Sequence, residues 1–465
     1  MLGILGGYAC TWIPSGTSPQ VSQLGKPEAL VLAESQRLSF QTGEIQWKSE
    51  KPDGYQRHFS ARFCPTSRLR IECGDSTGAV VPHRAGEPYS YSEFRQLVAT
   101  DREWTYIEDS PSAEATPIEL ATGVADVLAL GFLPYYTSGT AMRFENYCLG
   151  EALSYSVADD AGLKVVTAHL QSGGKQVWWL DDTVGGNPVR CALISEDKVV
   201  AESQTTYREY AGGRFVDSIS YYDSTRNLRR RDIVLDASFD QPWHSQQLGP
   251  KEIGVLEGMM VGGRDLVGVR PARWDGAKII THEMYTARVE AGLLDPSPYL
   301  IMLERVREQG GPGVLPNQPL AVDLVIVARE PGLWERYTRT FVLTHALDTE
   351  RARQAWCLLR QCQGLAYEIL KTQRPRLDEV ERVRTDLRRE IEAEDTEVRR
   401  RELSERKLER LSEDEKMLLA PVRRLFEECL QRKLFALLTP EERARSPMVT
   451  SASEPPPRQE AERTP

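Results

Sequence analysis

Gln176-Val177-Trp178-Trp179-Leu180, Val189-Arg190-Cys191-Ala192-Leu193 and the runs at 199–207, 214–222 and 232–239 fall at nearly even intervals within residues 162–240. Each suits a pleated strand, being rich in β-branched and aromatic residues. Between them stand Ser172-Gly173-Gly174, Gly185-Gly186-Asn187, Ser195-Glu196-Asp197, Ala211-Gly212-Gly213 and Asp223-Ser224-Thr225. These residues tolerate positive φ or hydrogen-bond their own backbone, so the stretch reads as a chain of β-hairpins. One strand is apolar on both faces, with Val177 and Trp179 on one and Trp178 and Leu180 on the other. A sheet with one face in water would alternate apolar with polar, so something covers the second face.

Outward from this stretch, residues 30–81 alternate again, through Leu38 and Phe40, Ile45 and Trp47, Phe59, Ala61 and Phe63, and Leu69, Ile71 and Cys73. Residues 91–98 and 117–130 read as helices. In the second, Thr116 caps, Pro117 takes the first helical position and Glu119 closes a capping box. The order predicts an α+β fold, a curved antiparallel β-sheet (a half-barrel) with helices on its concave side, followed by a C-terminal helical hairpin. Five segments follow: 1–29 as a flexible N-terminus or signal-peptide remnant, 30–245 as the half-barrel with its helical lid, 246–347 as a connector of mixed structure, 348–445 as the hairpin and 446–465 as a disordered tail. In the connector, Trp274-Asp275-Gly276 marks a turn, 283–293 and 298–308 read as helices, Gly310-Gly311-Pro312-Gly313 breaks the pattern, and 320–327 is a short apolar run. In the hairpin, a mixed-charge seam at 376–411 is threaded by Leu377, Val380, Val383, Leu387 and Ile391, and Ser412-Glu413-Asp414-Glu415 reads as the box opening the next helix.

The chain has 465 residues, a net charge of −10 and a pI near 5.4. That size implies more than one core. The acidic balance argues against a nucleic-acid surface, which needs clustered Lys and Arg. No window reaches the ~20 apolar residues of a membrane-spanning helix. The small, apolar residues 1–13 resemble the end of a signal peptide but lack a basic start. A periplasmic or secreted protein is the expectation, with a cytoplasmic one as the alternative. The 8 cysteines give little support for a disulfide framework, with long-range pairing left open in an exported protein. Around the turn Pro65-Thr66-Ser67, Cys64 falls beside Arg68 and Cys73 faces Phe59, while Cys357 and Cys362 lie on one helix, about 140° apart.

Leu438-Thr439-Pro440-Glu441-Glu442 resembles the LTxxQ element of Spy/CpxP-type periplasmic proteins, with Glu442 where that family carries Gln. Physically, Thr439 caps a helix, Pro440 starts it and Glu442 closes the box. The strand-helix-strand order of residues 30–245 resembles the half-barrel of LolA/LppX-type lipoprotein carriers. Phrases such as Trp179-Leu180-Asp181, Gly185-Gly186-Asn187-Pro188-Val189-Arg190 and Val199-Val200-Ala201-Glu202-Ser203 resemble uncharacterised secreted proteins of planctomycete-type bacteria. The carrier resemblance implies an apolar or lipid-like ligand; it transfers no functional residue.

The search for chemistry is mostly negative. His282-Glu283 begins a zinc-protease motif, but Thr286 stands where the second His belongs. There is no Walker A loop, no GxGxxG and no GxSxG elbow. Tyr136-Thr137-Ser138-Gly139 carries hydroxyls without a nearby His, and Asp181-Asp182 reads as a turn. The 6 histidines and 8 cysteines show no ligand spacing, so no metal or cofactor is expected. The residues placed at a ligand cavity are Trp178, Trp179, Phe215, Ile219 and Tyr221. The expected function is therefore a non-enzymatic exported protein binding an apolar or lipid-like ligand. The alternative is a structural or interaction protein meeting a protein partner through its charged C-terminal helices.

Overall fold

A computed structural model gives the fold, and the structure describes residues 25–54, 56–75, 91–99, 101–107, 110–118, 126–134, 152–263, 265–266, 271–308, 328, 331, 333–392 and 398–445. The expectations for residues 1–24, Tyr136 to Gly139, the breaker at Gly310, the run at 320–327 and the tail from 446 lie outside the described residues. The fold is α+β, built on one large, open, curved sheet of 16 strands. A first meander comprises β1 (Gly43–Glu50), β2 (Gln56–Cys64), β3 (Ser67–Asp75), β4 (Tyr91–Val98), β5 (Arg102–Ile107) and β6 (Ser112–Pro117). The second comprises β7 (Ala152–Asp160), β8 (Leu163–Leu170), β9 (Lys175–Asp181), β10 (Asn187–Ser195), β11 (Lys198–Tyr210), β12 (Gly213–Asp223) and β13 (Leu228–Phe239). It starts at the far edge and returns so that β13 pairs with β1, placing Ile45 between Ala61 and Ala237, and Trp47 between Phe59 and Val234. Beyond β6 lie β14 (Met260–Gly262), β15 (Ala272–Trp274) and β16 (Ile279–Thr281). Every junction is antiparallel except that between β6 and β14.

The sheet corrects two helices expected from the sequence. Tyr91–Val98 is a strand paired on both sides, with Leu97 opposite Leu69 and Trp104. Its alternation is hidden because buried Gln96 bonds Glu103 across the ladder, leaving apolar residues at helix-like intervals. Thr116 and Pro117 end β6 instead of opening a helix, since a strand end tolerates a residue without an N–H. Of the expected helix, residues 119–125 lie outside the described ones, Ile118 is 3₁₀ and Val127–Ala129 form a 3₁₀ turn capped by Asp126. The β2–β3 turn also shifts a predicted register by one: Cys64 pairs with Ser67 and Cys73 with His58.

The C-terminal helices pack on the sheet face opposite α1 (Glu28–Leu38). After α2 (His282–Glu290) and α3 (Ser297–Glu308) come α4 (Leu333–Thr344), α5 (Thr349–Glu392), α6 (Val398–Arg424), the π-helix Leu425–Gln431, α7 (Arg432–Ala436) and α8 (Pro440–Arg445). α5 runs unbroken through Pro375, and Ser412 to Glu415 lies inside α6. The expected capping box there is absent because buried Glu415 turns back to pair with Arg384 of α5. The box at Thr439 does form: the Thr439 N–H donates to Glu442 Oε2 at 2.7 Å and the Glu442 N–H to Thr439 Oγ1 at 3.2 Å.

Bulges fix the helices to the strands. Tyr207 pairs with Val216 and Thr206 with Ser218, leaving Asp217 extra; Gln46 pairs with Asp236 and Trp47 with Val234, leaving Leu235 extra. A bulge re-aims a side chain. Leu235 accordingly joins the helical core, while Val234 and Ala237 stay in the core under α1. Asp217 accepts a hydrogen bond from Arg353 at 2.6 Å, and Asp236 pairs with Arg360.

Candidate ligand-binding face

The face carrying α1 is apolar across β1, β2 and β8 to β13. Trp178 and Leu180 from β9, Phe215, Ile219 and Tyr221 from β12, and Phe239 from β13 share one core with Leu30 and Ala33 of α1. Trp178, Phe215 and Ile219 are fully buried and Tyr221 nearly so. Trp179 does not join them. Strand alternation turns it to the other face, half-buried, where the Arg190 guanidinium lies 4.2 Å from its ring centroid and pairs with Glu202.

Over this face lies a strap, residues 126–134, whose Leu128, Phe132 and Leu133 plug the apolar surface. Its start is held by Asp126, which accepts from the Leu128 N–H at 3.0 Å and pairs with Arg68 of β3 at 3.0 Å. Gly131 makes the bend at φ 86°, and a Cβ there would sit 3.1 Å from Thr205 Cγ2, so the backbone lies directly on β11. Fully burying Phe132 or Leu128 stabilises closure by roughly 1.5–3 kcal/mol each.

The polar attachments converge on two successive carbonyls. The Phe132 oxygen accepts from Trp178 Nε1 at 3.0 Å, Gln176 Nε2 at 3.4 Å and Cys191 Sγ at 3.3 Å; the Leu133 oxygen accepts from Ser203 Oγ at 2.8 Å. The sheet thus presents a row of buried donors within an apolar surface, which the strap's peptide groups satisfy. A buried donor without an acceptor costs about 1–3 kcal/mol, so these contacts help hold the strap against the sheet.

Arg37, the last basic residue of α1, is 2% exposed. Its guanidinium lies 4.4 Å from the Phe215 ring centroid and 5.3 Å from that of Phe132, and donates to the Leu130 carbonyl at 3.2 Å and to Asn187 Oδ1 at 3.4 Å. Burial pushes its pKa down, and burial pushes that of the neighbouring Tyr207 phenol up. Sequence reading missed Arg37, Phe132 and the strap carbonyls. The available signal was the Leu30, Ala33, Arg37 spacing, which sets an arginine on the apolar stripe of α1.

Asp181 and Asp182 form the expected turn, with Asp181 Oδ1 accepting from the Thr183 N–H at 2.8 Å and Gly185 at φ 78°. No group of three or more metal-ligating side chains occurs among the described residues, and no helix among them is long and apolar enough to cross a membrane.

No family model matches the chain, and no curated protein matches it. Among solved structures it is similar to an outer membrane lipoprotein-sorting protein domain from Vibrio parahaemolyticus, at 12% identity over 49% of this chain and 97% of that one, with a TM-score of 0.31. It is also similar to a DUF1329 family protein from Desulfovibrio piger, at 12% identity over 46% and 92%, TM-score 0.30. A third is an uncharacterized conserved protein from Thermus thermophilus, at 9% identity over 51% and 98%, TM-score 0.25.

Proposed function

We propose that the protein is a non-enzymatic, exported carrier that holds an apolar or lipid-like ligand between its sheet and strap, in the periplasm or outside the cell. The observation supporting this reading is the convergence of Trp178, Gln176, Cys191 and Ser203 on the carbonyls of Phe132 and Leu133. With the strap lifted, the same donors would meet the ester or amide carbonyls of an acylated ligand. Its chains would then lie where Leu128, Phe132 and Leu133 now lie, against Trp178, Phe215, Ile219 and Tyr221. An acylated molecule matches both the apolar area and the donor row, whereas a pure hydrocarbon offers that row no acceptor.

The test is native mass spectrometry of protein purified without detergent, with organic extraction of the same sample. The expected result is a released adduct of acyl-lipid mass, retained more in Phe132→Ala, where removing the plug opens room on the face. Wild type and Phe132→Ala both free of apolar adducts, before and after incubation with lipid vesicles, would sink the proposal.

A further inference from the structure

On the face opposite α1, the first turns of α5 and the ends of β11 and β13 enclose a cleft of ≈ 590 Å³. That lies within the roughly 300–1,000 Å³ of small-molecule sites. Its walls are Tyr210, Leu235, Trp243 and the exposed Leu365, and Gly364 forms part of the helix side. A Cβ on Gly364 would meet only the Trp243 ring, at 3.9 Å, so the space above this glycine admits a methyl group and is open to a ligand. The walls are braced by the bulges. Arg353 is held by Asp217 and the Val234 carbonyl, and Arg360 by Asp236 and the Ala237 carbonyl.

Arg208 differs from these two arginines. It is exposed at the cleft, its guanidinium 5.8 Å from the Tyr210 ring centroid, and among the described residues no carboxylate pairs with it. The adjacent Glu209 is taken by Arg214 at 2.6 Å. Burial and nearby Asp217 push the Tyr210 phenol up, so it stays neutral and sets no negative charge against an anion. The cleft thus pairs an aromatic and aliphatic trough with one unmatched cation.

We infer that this cleft is a second binding site, for a monoanionic amphiphile whose apolar body lies between Tyr210, Trp243 and Leu365 and whose carboxylate meets Arg208. It is separate from the strap-covered face and does not depend on that face binding anything. Cys357, an exposed thiol in the cleft wall, reports occupancy.

The experiment measures alkylation of Cys357 by N-ethylmaleimide in the full chain, by peptide mass spectrometry, with decanoate or decanol as probe and Cys429 as internal reference. Decanoate is expected to slow Cys357 alkylation about tenfold while Cys429 is unaffected. Arg208→Glu should raise the protecting concentration about tenfold or more, as loss of a charge-assisted contact implies. Gly364→Phe should abolish protection and Gly364→Ala should keep it. Decanol should protect far less than decanoate, and Phe132→Ala should leave protection unchanged, which separates this site from the strap. Equal alkylation with and without decanoate, protection that survives both Arg208→Glu and Gly364→Phe, or equal protection by decanol would overturn the inference.

Discussion

Glu335 of α4 is buried against the sheet, where it accepts from Ser60 Oγ at 2.7 Å and Gln46 Nε2 at 3.1 Å and pairs with both Arg62 and Arg339. Burial alone would raise its pKa, but the two arginines outweigh it and hold the carboxyl at about 2, below its ordinary 4.5. On acidification the unfolded chain therefore takes up this proton first. The stabilisation is whole above about pH 4.5 and lost as the pH falls towards 2. Glu44 is pushed the other way by burial, against the pull of Arg62, so the Glu335 contribution is isolated by comparison with a variant. Glu335→Gln removes the charge that Arg62 and Arg339 share and should destabilise by ~3–5 kcal/mol at pH 7, with the gap closing near pH 2. Urea midpoints of both proteins across that range check this, and a gap independent of pH would contradict it. The sequence shows Trp178 and Phe215 as apolar at the right period, which is why their burial was legible. Neither Glu335 nor Arg37 was, because most of the partners that explain such a buried charge lie far along the chain, 275 residues away at Ser60 and 93 at Leu130.

At the scale of elements, the strap depends on a backbone bend that only glycine adopts freely. Gly131→Ala places a side chain at φ 86° and against Thr205, a cost of about 1–2 kcal/mol for the conformation alone. Amide hydrogen exchange in residues 126–134 should quicken in this variant, while β1 and β13 keep their protection. An unchanged rate in the strap would mean that its position does not depend on this bend. Hairpins whose turns carry glycine were readable in the sequence: Gly173, Gly185 and Gly212 all have positive φ. β4 was not, because one buried polar residue, Gln96, hides its alternation. Neither was the extent of α5 and α6, since Pro375 is accommodated within one helix and Ser412 to Glu415, inside the other, imitates a helix start.

For the whole molecule, the decisive junction is β1 with β13, where two meanders that could stand as separate sheets become one of 16 strands. Strand content is a local property and was legible, but this pairing joins residues nearly two hundred apart and leaves no local mark. The same junction gives the molecule two unlike faces. Ile45, Trp47, Val234 and Ala237 face the core under α1, while Leu235 and Asp236 are turned by a bulge to the C-terminal helices. The strap side is held by hydrogen bonds, apolar contact and the ion pair Arg68–Asp126, the helix side by the ion pairs Arg353–Asp217, Arg360–Asp236 and Arg62–Glu335. The carrier function proposed above requires the strap to lift while the helices stay in place. Phe132→Cys tests this most directly, because the Cys191 sulfur lies 3.3 Å from the backbone oxygen of residue 132, and a disulfide between the two, its formation verified by peptide mapping before uptake is measured, would lock strap to sheet. Uptake of pyrene-labelled phosphatidylcholine from vesicles is predicted to fall to background in the oxidised variant and to return on reduction; equal uptake in both forms would contradict the account.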